Sequence, residues 1–290
     1  MLHTHHHAGD AGGDAAYRPS TLSAYAQTIE CVIGAMHAHV AAPLSLEEMA
    51  EIACLSPFHF NRVFRSLIGI PPGEFLAALR LDAAKRLLLT TSLSVTDVCF
   101  ELGYASLGTF TTRFKQLVGL SPLRLRQLAG EIEPLALGSR TGGRRETPTA
   151  LRLAAVPTRG VSGSIAAPEP FVGLIFAGLF PRPIPQGRPV ACVTLAAPGR
   201  YQIAPVPDGR YYLLAAAVPR SPRAQTYLLS DPAPLVGIAE RLVLVREGCS
   251  DAAVDLVLHP RRAADPPILG VFPPLLAMAA TAQTRAYAFA

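Results

Sequence analysis

The stretch from Leu44 to Gly69, LSLEEMAEIACLSPFHFNRVFRSLIG, returns in diverged form from Leu93 to Gly119 as LSVTDVCFELGYASLGTFTTRFKQLVG. Ser45 lies over Ser94, Leu46 over Val95, Met49 over Val98 and Ala53 over Leu102. After one inserted residue the register resumes, with Ser56 over Ser106, Phe60 over Phe110, Phe64 over Phe114 and Gly69 over Gly119. A proline closes each copy, Pro72 or Pro122. A pattern used twice predicts one structural unit used twice.

Each copy spells helix, turn, helix. Ser45 and Ser94 are placed to cap a first helix, and acids in its first turn (Glu47 and Glu48; Asp97) suit the positive end of the helix dipole. Apolar residues recur at helical spacing: Leu46, Met49, Ile52 and Ala53, then Val95, Val98 and Leu102. Breaks follow at Cys54-Leu55 and Gly103-Tyr104. Ser56 or Ser106 then opens a second helix, with Pro57 suited to a first turn. Its buried stripe is Phe60, Val63, Phe64 and Leu67, or Phe110, Phe114 and Leu117. Two such helices joined by a short turn, the second polar on its outer face, make a helix-turn-helix.

The flanking sequence fits that frame. A helix from Ser23 shows an apolar stripe at Ile29, Val32, Ile33, Met36 and Val40; His37 and His39 do not share a face of it. Pro72 to Thr90 reads as an amphipathic spacer helix, with Phe75, Leu79, Ala83 and Leu87 inside and Arg80, Asp82, Lys85 and Arg86 outside. Its length, roughly 27 Å at about 1.5 Å per residue, approaches the roughly 34 Å between successive major grooves of DNA. Ser121-Pro122 opens a last helix ending near Gly130. Residues 1–20 read as a disordered tail, in which His3, His5, His6 and His7 are a solvated run or a tag remnant rather than a metal site. Residues 21–130 form one domain, and residues 131–149, rich in Gly, Thr, Pro and Arg, read as a linker.

Residues 150–290 change character. Runs of β-branched and aromatic residues alternate with Pro and Gly: LRLAAV, RGVSGSI, FVGLIFAGLF, RPVACVTLAA, RYQIAPV, RYYLLAAAV, RLVLVR and AAVDLVLHP. About eight strands at this spacing suggest an all-β sandwich. Asp208-Gly209 is the strongest hairpin signal, and a short helix is expected near Leu275–Ala282 in the tail. The fold class is therefore multidomain: all-α double helix-turn-helix first, β-sandwich second.

The net charge of +5 is a poor guide to partners. Residues 21–130 hold nine Lys/Arg against eight Asp/Glu, whereas residues 150–290 hold thirteen against eight, which equals the whole excess. Position is more informative, since acids gather on the first helix of each pair and Arg62, Arg65, Arg113 and Lys115 on the second. Five scattered cysteines without metal-type spacing suggest reduced thiols in a cytoplasmic protein. No apolar run reaches membrane-spanning length, and the N-terminus has no secretory pattern. Nor does any phosphate loop, metal-spaced carboxylate set or nucleophile elbow appear, so no cofactor, metal or catalytic residue is expected. Cys192 sits in an apolar strand and Cys249 and His259 stand alone, an arrangement that offers no activated thiolate.

From about Ser23 to Leu128, on LSLEEMAEIACLSPFHFNRVFRSLIGIPPGEFLAALRLDAAKRLLL and SVTDVCFELGYASLGTFTTRFKQLVGLSP, the chain resembles the DNA-binding domain of AraC/XylS-type transcription regulators. That resemblance implies two helix-turn-helix units on a long helix, double-stranded DNA and RNA polymerase as partners, and base contacts from the second helix of each unit; because units of this type also occur fused to methyl-acceptor domains, it leaves a methyl-accepting DNA-repair enzyme as a remote alternative. Carried over by position, the base contacts are Phe58, His59, Asn61 and Arg62, and Leu107, Gly108, Thr109 and Thr112. Asn61 matches an adenine edge, Arg62 a guanine and Phe58 thymine methyls. Phosphate contacts are expected from Ser56, Arg65, Ser106, Arg113 and Lys115. The second unit is the weaker reader, because Leu107 and Gly108 offer no side-chain hydrogen bonds and Thr112 stands where the first unit has Arg62. For Phe58 and His59, surface packing is the competing, lesser reading.

In most members of that family the domain follows a sensor; here it leads. The segment GRYQIAPVPDGRYYLLAAAVP, with VSGSI and AAVDLVLHP, resembles the transthyretin-like fold of carboxypeptidase regulatory domains. Such a fold does not name a ligand. The β-unit is expected either to sense a small molecule or partner, or to serve as a structural or protein-interaction module. Tyr201, Arg210, Tyr211 and Tyr212 are candidates for a pocket rim, with sheet-face packing the competing reading.

Overall fold

The computed structural model describes residues 19–131 and 159–271, apart from Pro170, Val172, Arg220, 222–223 and 230–234. The N-terminal tail, most of the linker, the LRLAAV run and the expected C-terminal helix lie outside the described residues.

The helical unit comprises α1 (Pro19–Ala38), α2 (Leu46–Ile52), α3 (Pro57–Ile68), α4 (Pro72–Thr90), α5 (Val95–Glu101), α6 (Leu107–Val118) and α7 (Pro122–Glu131). Reciprocal capping boxes start α2 and α5. Glu48 N donates to Ser45 Oγ at 3.1 Å and Ser45 N to Glu48 Oε2 at 2.6 Å; the Ser94–Asp97 pair repeats this at 3.1 and 3.0 Å. The Ser94 hydroxyl also donates to the Asp97 carboxylate, at 2.7 Å, and together with Ser94 N holds that carboxyl below its ordinary pKa. Ser56 and Ser106 cap α3 and α6, which both end on a left-handed glycine, Gly69 or Gly119.

The turns inside the two units superpose bond for bond. Cys54 N donates to Glu51 O and Leu55 N to Ala50 O; Gly103 N donates to Phe100 O and Tyr104 N to Cys99 O. The pivot of this turn is left-handed, with φ of 54° at Cys54 and 73° at Gly103. Beneath the turns lie two aromatic stacks. Phe60, Phe64 and Phe75 meet edge to face with centroids 5.6 and 5.8 Å apart, and Tyr104, Phe110 and Phe114 meet at a tilt with centroids 5.1 and 5.6 Å apart. Ile52, expected in the stripe of α2, is instead 42% exposed in the last turn of that short helix.

The C-terminal region is rich in antiparallel sheet. Its strands are β1 (Val161–Ala166), β2 (Gly173–Phe180), β3 (Ala191–Leu195), β4 (Gly199–Ile203), β5 (Gly209–Pro219), β6 (Leu235–Ile238), β7 (Val243–Arg246), β8 (Cys249–Ser250), β9 (Leu256–Val257) and β10 (His259–Pro260), with α8 (Ala224–Leu229) between β5 and β6. The smaller sheet runs β4-β1-β9, and the larger β10-β6-β5-β2-β3, with β7 attached to β5 and β8 to β7. Side chains from both sheets share a core that includes Val161, Ile175, Leu179, Ile203, Leu213 and Val243. On β2 and β5 the alternate residues, Phe176, Phe180, Leu214, Ala216 and Val218, are buried on the other face. Burial on both faces explains why those segments read as unbroken apolar runs.

Asp208-Gly209 does not close a hairpin. Strand β4 pairs with β1, and β5 with β2, β6 and β7, so the dipeptide crosses from one sheet to the other. Pro205 and Pro207 on its N-terminal side have no N–H for a ladder. The Asp208 carboxylate instead accepts Glu247 N (3.0 Å) and Gly248 N (2.8 Å), which keeps its pKa low. The true two-residue hairpin is Glu247-Gly248 between β7 and β8, with φ of 53° and 74°.

Helix α4 joins the two regions. Asp82 and Lys85, expected on its solvent face, are 8% and 0% exposed. The loop before Val271 covers them: Lys85 Nζ donates to Ile268 O at 2.9 Å and lies 3.9 Å from Asp82 Oδ1. Nearby, Glu74 accepts from Arg182 and, at 3.2 Å, from Gln186 Nε2. Gly187 N donates to Leu117 O at 2.6 Å, and His37 Nε2 lies 3.4 Å from Ala263 O. Burial, opposed by Asp82 and helped by Arg261 and Arg86, brings the Lys85 ammonium down to about 8.

Two stability outcomes follow. A left-handed L-residue costs about 1–2 kcal/mol, so Cys54→Gly raises stability by about 1 kcal/mol in urea unfolding. Gly103→Ala lowers it by more, since the added Cβ would lie 2.7 Å from Ala41 O. Loss of stability in both variants would contradict the shared geometry. Second, the unfolded chain holds a proton on Lys85 up to its ordinary pKa of 10.5, whereas folded Lys85 gives it up near 8. Stability is therefore lowest below pH 8 and rises toward pH 10 by about 2 kcal/mol, relative to Lys85→Met measured in parallel. Identical pH profiles for the two proteins would refute this.

Candidate nucleic-acid interface

The apolar side of α3 and of α6 is spent on the core, and the other side faces outward. On α3, Phe58 is 79% exposed, Asn61, Arg65 and Ser66 are exposed, and Arg62 is half-buried. Phe58, Asn61, Arg62 and Arg65 fall at helical spacings that place them along one face. On α6, Leu107, Gly108, Thr109, Thr112, Arg113, Lys115 and Gln116 are all exposed. Gln116 and Ser66 extend these faces and were not singled out from sequence; their i+7 and i+8 spacing from Thr109 and Phe58 is the signal that finds them.

His59 stands apart from its neighbours. It is half-buried, its Nε2 lies 3.2 Å from the Tyr25 hydroxyl, and the two rings meet edge-on at 5.6 Å. This side chain ties α3 to α1. Ser56 and Ser106 are exposed, yet their hydroxyls accept from His59 N and Thr109 N, both at 3.4 Å, as helix caps.

Several cations of the helical unit are consumed internally. Arg80 donates through Nε to Val40 O (3.0 Å) and through Nη2 to Ala42 O (2.8 Å), closing the chain after α1. Arg126 does the same for α4, donating to Leu88 O (3.1 Å) and Leu93 O (2.6 Å). Guanidinium groups thus pin the chain just after α1 and at the end of α4. With Lys85 buried as well, Arg65, Arg113 and Lys115 remain exposed on the two second helices. The β-unit touches these helices near their C-terminal ends, through Gly187 at Leu117 and around Leu67 and Ile68.

Two of the tyrosines expected at a pocket rim, Tyr201 and Tyr211, are buried in the sheets. Tyr201 is 4% exposed and donates to Val254 O at 2.6 Å; Tyr211 donates to Pro207 O at 3.1 Å. Among the described residues no cluster of His, Cys, Asp and Glu could hold a metal, and no described helix is long and apolar enough to cross a membrane.

A family model described as "Helix-turn-helix domain" matches residues 49–128. Among curated proteins, the chain is 36% identical over 86 residues to the bifunctional transcriptional activator/DNA repair enzyme AdaA of Bacillus subtilis, covering 30% of this chain and 41% of that protein. It is 37% identical over 79 residues to the HTH-type transcriptional activator AarP of Providencia stuartii, covering 27% of this chain and 58% of that protein. The chain thus spans about half the length of these two relatives. Among solved structures, the C-terminal domain of AraT, a response regulator from Geobacillus stearothermophilus, is 28% identical over 36% of this chain and 87% of its own, with a TM-score of 0.34.

Proposed function

We propose that this chain is a sequence-specific transcription regulator of AraC/XylS type, binding double-stranded DNA through α3 and α6 in two successive major grooves. One observation supports it above the rest: the same capped unit occurs twice, and in each the second helix keeps its aromatic side in the core and a polar, cationic side open. The helix-turn-helix match and the regulators among the similar proteins support the same reading.

In this reading Phe58, Asn61 and Arg62 discriminate bases, while Leu107, Gly108, Thr109 and Thr112 add methyl contacts and register. Arg65, Arg113, Lys115 and the capped N-termini at Ser56 and Ser106 hold phosphates. His59 acts through its Tyr25 contact by orienting α3 rather than by reading a base. RNA polymerase is the second macromolecular partner. The two-sheet unit is a β-sandwich of transthyretin-like type that senses a small molecule, and its fixed seat on α4 provides a route to the DNA-binding helices. We assign no catalysis: burial pushes the Cys192 thiol up to about 11 and raises Cys99 too, the reverse of an activated methyl-accepting thiolate.

In fluorescence anisotropy on the best operator sequence, Arg62→Ala weakens binding by about 1–3 kcal/mol and relaxes preference at one base pair, whereas Thr112→Ala costs much less. A uniform loss on all sequences would make Arg62 a phosphate contact, and equal losses in the two variants would remove the asymmetry between the units. Wild-type affinity falls steeply with salt, and Lys115→Ala makes that dependence shallower by about one phosphate contact; an unchanged slope would exclude Lys115 from the interface.

A further inference from the structure

The outer face of the larger sheet is covered unevenly. Helix α8 packs Tyr227 on part of it, and the segment around Ile268 covers another part. Between these and the end of α3 lies a half-open cavity of about 100 Å³. Its floor is sheet, with Phe176, Leu214 and Val236; its far wall is the last turn of α3, with Leu67 and Ile68; Ile268 closes a third side.

Polar groups reach this space from one rim, where His259, Arg262 and Asp265 line it. Asp265 is largely committed: its carboxylate accepts Arg262 N at 2.6 Å and lies 3.8 Å from His259 Nδ1. The Arg262 guanidinium is different. Among the described residues it has no hydrogen-bond or ion-pair partner, although its backbone is pinned. An apolar cavity with one available cation at its mouth is an amphipathic receptor, apolar walls supplying affinity and the cation orientation.

The dimensions narrow the occupant. An apolar cavity of about 150 Å³ takes up a single benzene ring, so this smaller but open space fits one ring whose substituent protrudes at the rim. A guanidinium there matches a carboxylate in a charge-assisted pair. A peptide strand or a long acyl chain is too bulky for it.

We infer that this cleft is an effector site for a small apolar carboxylate of single-ring size, its ring on Phe176 and Val236 and its carboxylate on Arg262. The cleft gives the β-unit a ligand in the regulator reading above, on which the coupling to DNA rests; the site itself does not. Leu67 and Ile68 belong to the same twelve-residue helix as Phe58, Asn61 and Arg62. A ligand that shifts the end of that rod shifts its front, and ligand and DNA must then change each other's affinity by the same factor.

The test uses the full-length protein and para-fluorobenzoate, followed by fluorine NMR, with para-fluorobenzyl alcohol as the neutral analogue. The wild type binds the acid at millimolar concentration or better and releases it to unlabelled benzoate. Arg262→Gln weakens the acid about tenfold and leaves the alcohol within about twofold. Ala216→Leu, which adds bulk to the cavity lining, removes both while the thermal transition of the protein is retained. No binding by the wild type, or an Arg262→Gln protein that binds the acid as well as wild type, overturns the site. So does binding that appears only after residues 272–290 are deleted, because the chain's own C-terminal segment would then be the occupant. Operator affinity with and without saturating benzoate separates the two claims: a bound acid that leaves DNA affinity unchanged keeps the site and refutes sensing.

Discussion

Helix α4 is packed from nearly every direction, and that burial organises the molecule. Phe75 reaches back to Phe64 of the first helix-turn-helix unit, while α4 also meets α5 and α7 around the second. On the remaining side the β-unit supplies Ile268 O to Lys85 and the Arg182–Gln186 segment to Glu74. A charged group in such a place is tolerated only when its hydrogen-bonding capacity is met on the spot. Lys85 is therefore a strong constraint on how the two regions fit, because withdrawing the carbonyl would leave an ammonium buried beside a single carboxylate.

The two helix-turn-helix units obey one plan with different materials. Both turns make the same hydrogen bonds around a left-handed pivot, yet one uses cysteine and the other the glycine that this conformation favours. An arginine pins the chain where each preceding helix gives out, Arg80 on the carbonyls of Val40 and Ala42 just after α1 and Arg126 on those of Leu88 and Leu93 at the end of α4. The outer faces diverge most: aromatic, amide and guanidinium groups on α3, small and threonine-rich on α6. Shared scaffold and unequal fronts fit the division of labour between reading and holding that we propose.

The β-unit shows where local signals mislead. Asp208-Gly209 has the composition of a tight hairpin, but an adjacent strand must also offer a ladder partner, and β4 is already paired with β1. Glu247-Gly248 makes the real turn with weaker sequence credentials, supported by the Asp208 carboxylate from across the fold. Strand β6 and helix α8 went unread, the first because LVGI is short and the second because Pro and Arg precede it without a cap. Tyr201 and Tyr211 spend their hydroxyls on backbone carbonyls, and the open cavity lies on the opposite face of the sheet.

By itself the sequence determined what depends on neighbours a few residues apart: the doubled unit, its serine caps, the Phe60–Phe64 and Phe110–Phe114 stripes, the outward residues of the second helices and the change to β-strands after the linker. Helical periodicity and capping act within one or two turns, so they can be read in one dimension. Only the tertiary structure decided which polar residues are buried, which strands pair and where space is left. Asp82 and Lys85 look solvated along the chain and are buried, Lys85 against a carbonyl more than a hundred and eighty residues away. His59 gives no sign along the chain of a partner on α1, yet its Nε2 lies 3.2 Å from the Tyr25 hydroxyl. Those outcomes depend on which distant segment arrives at a surface, and that is settled by packing two regions against each other rather than by the pattern of either alone.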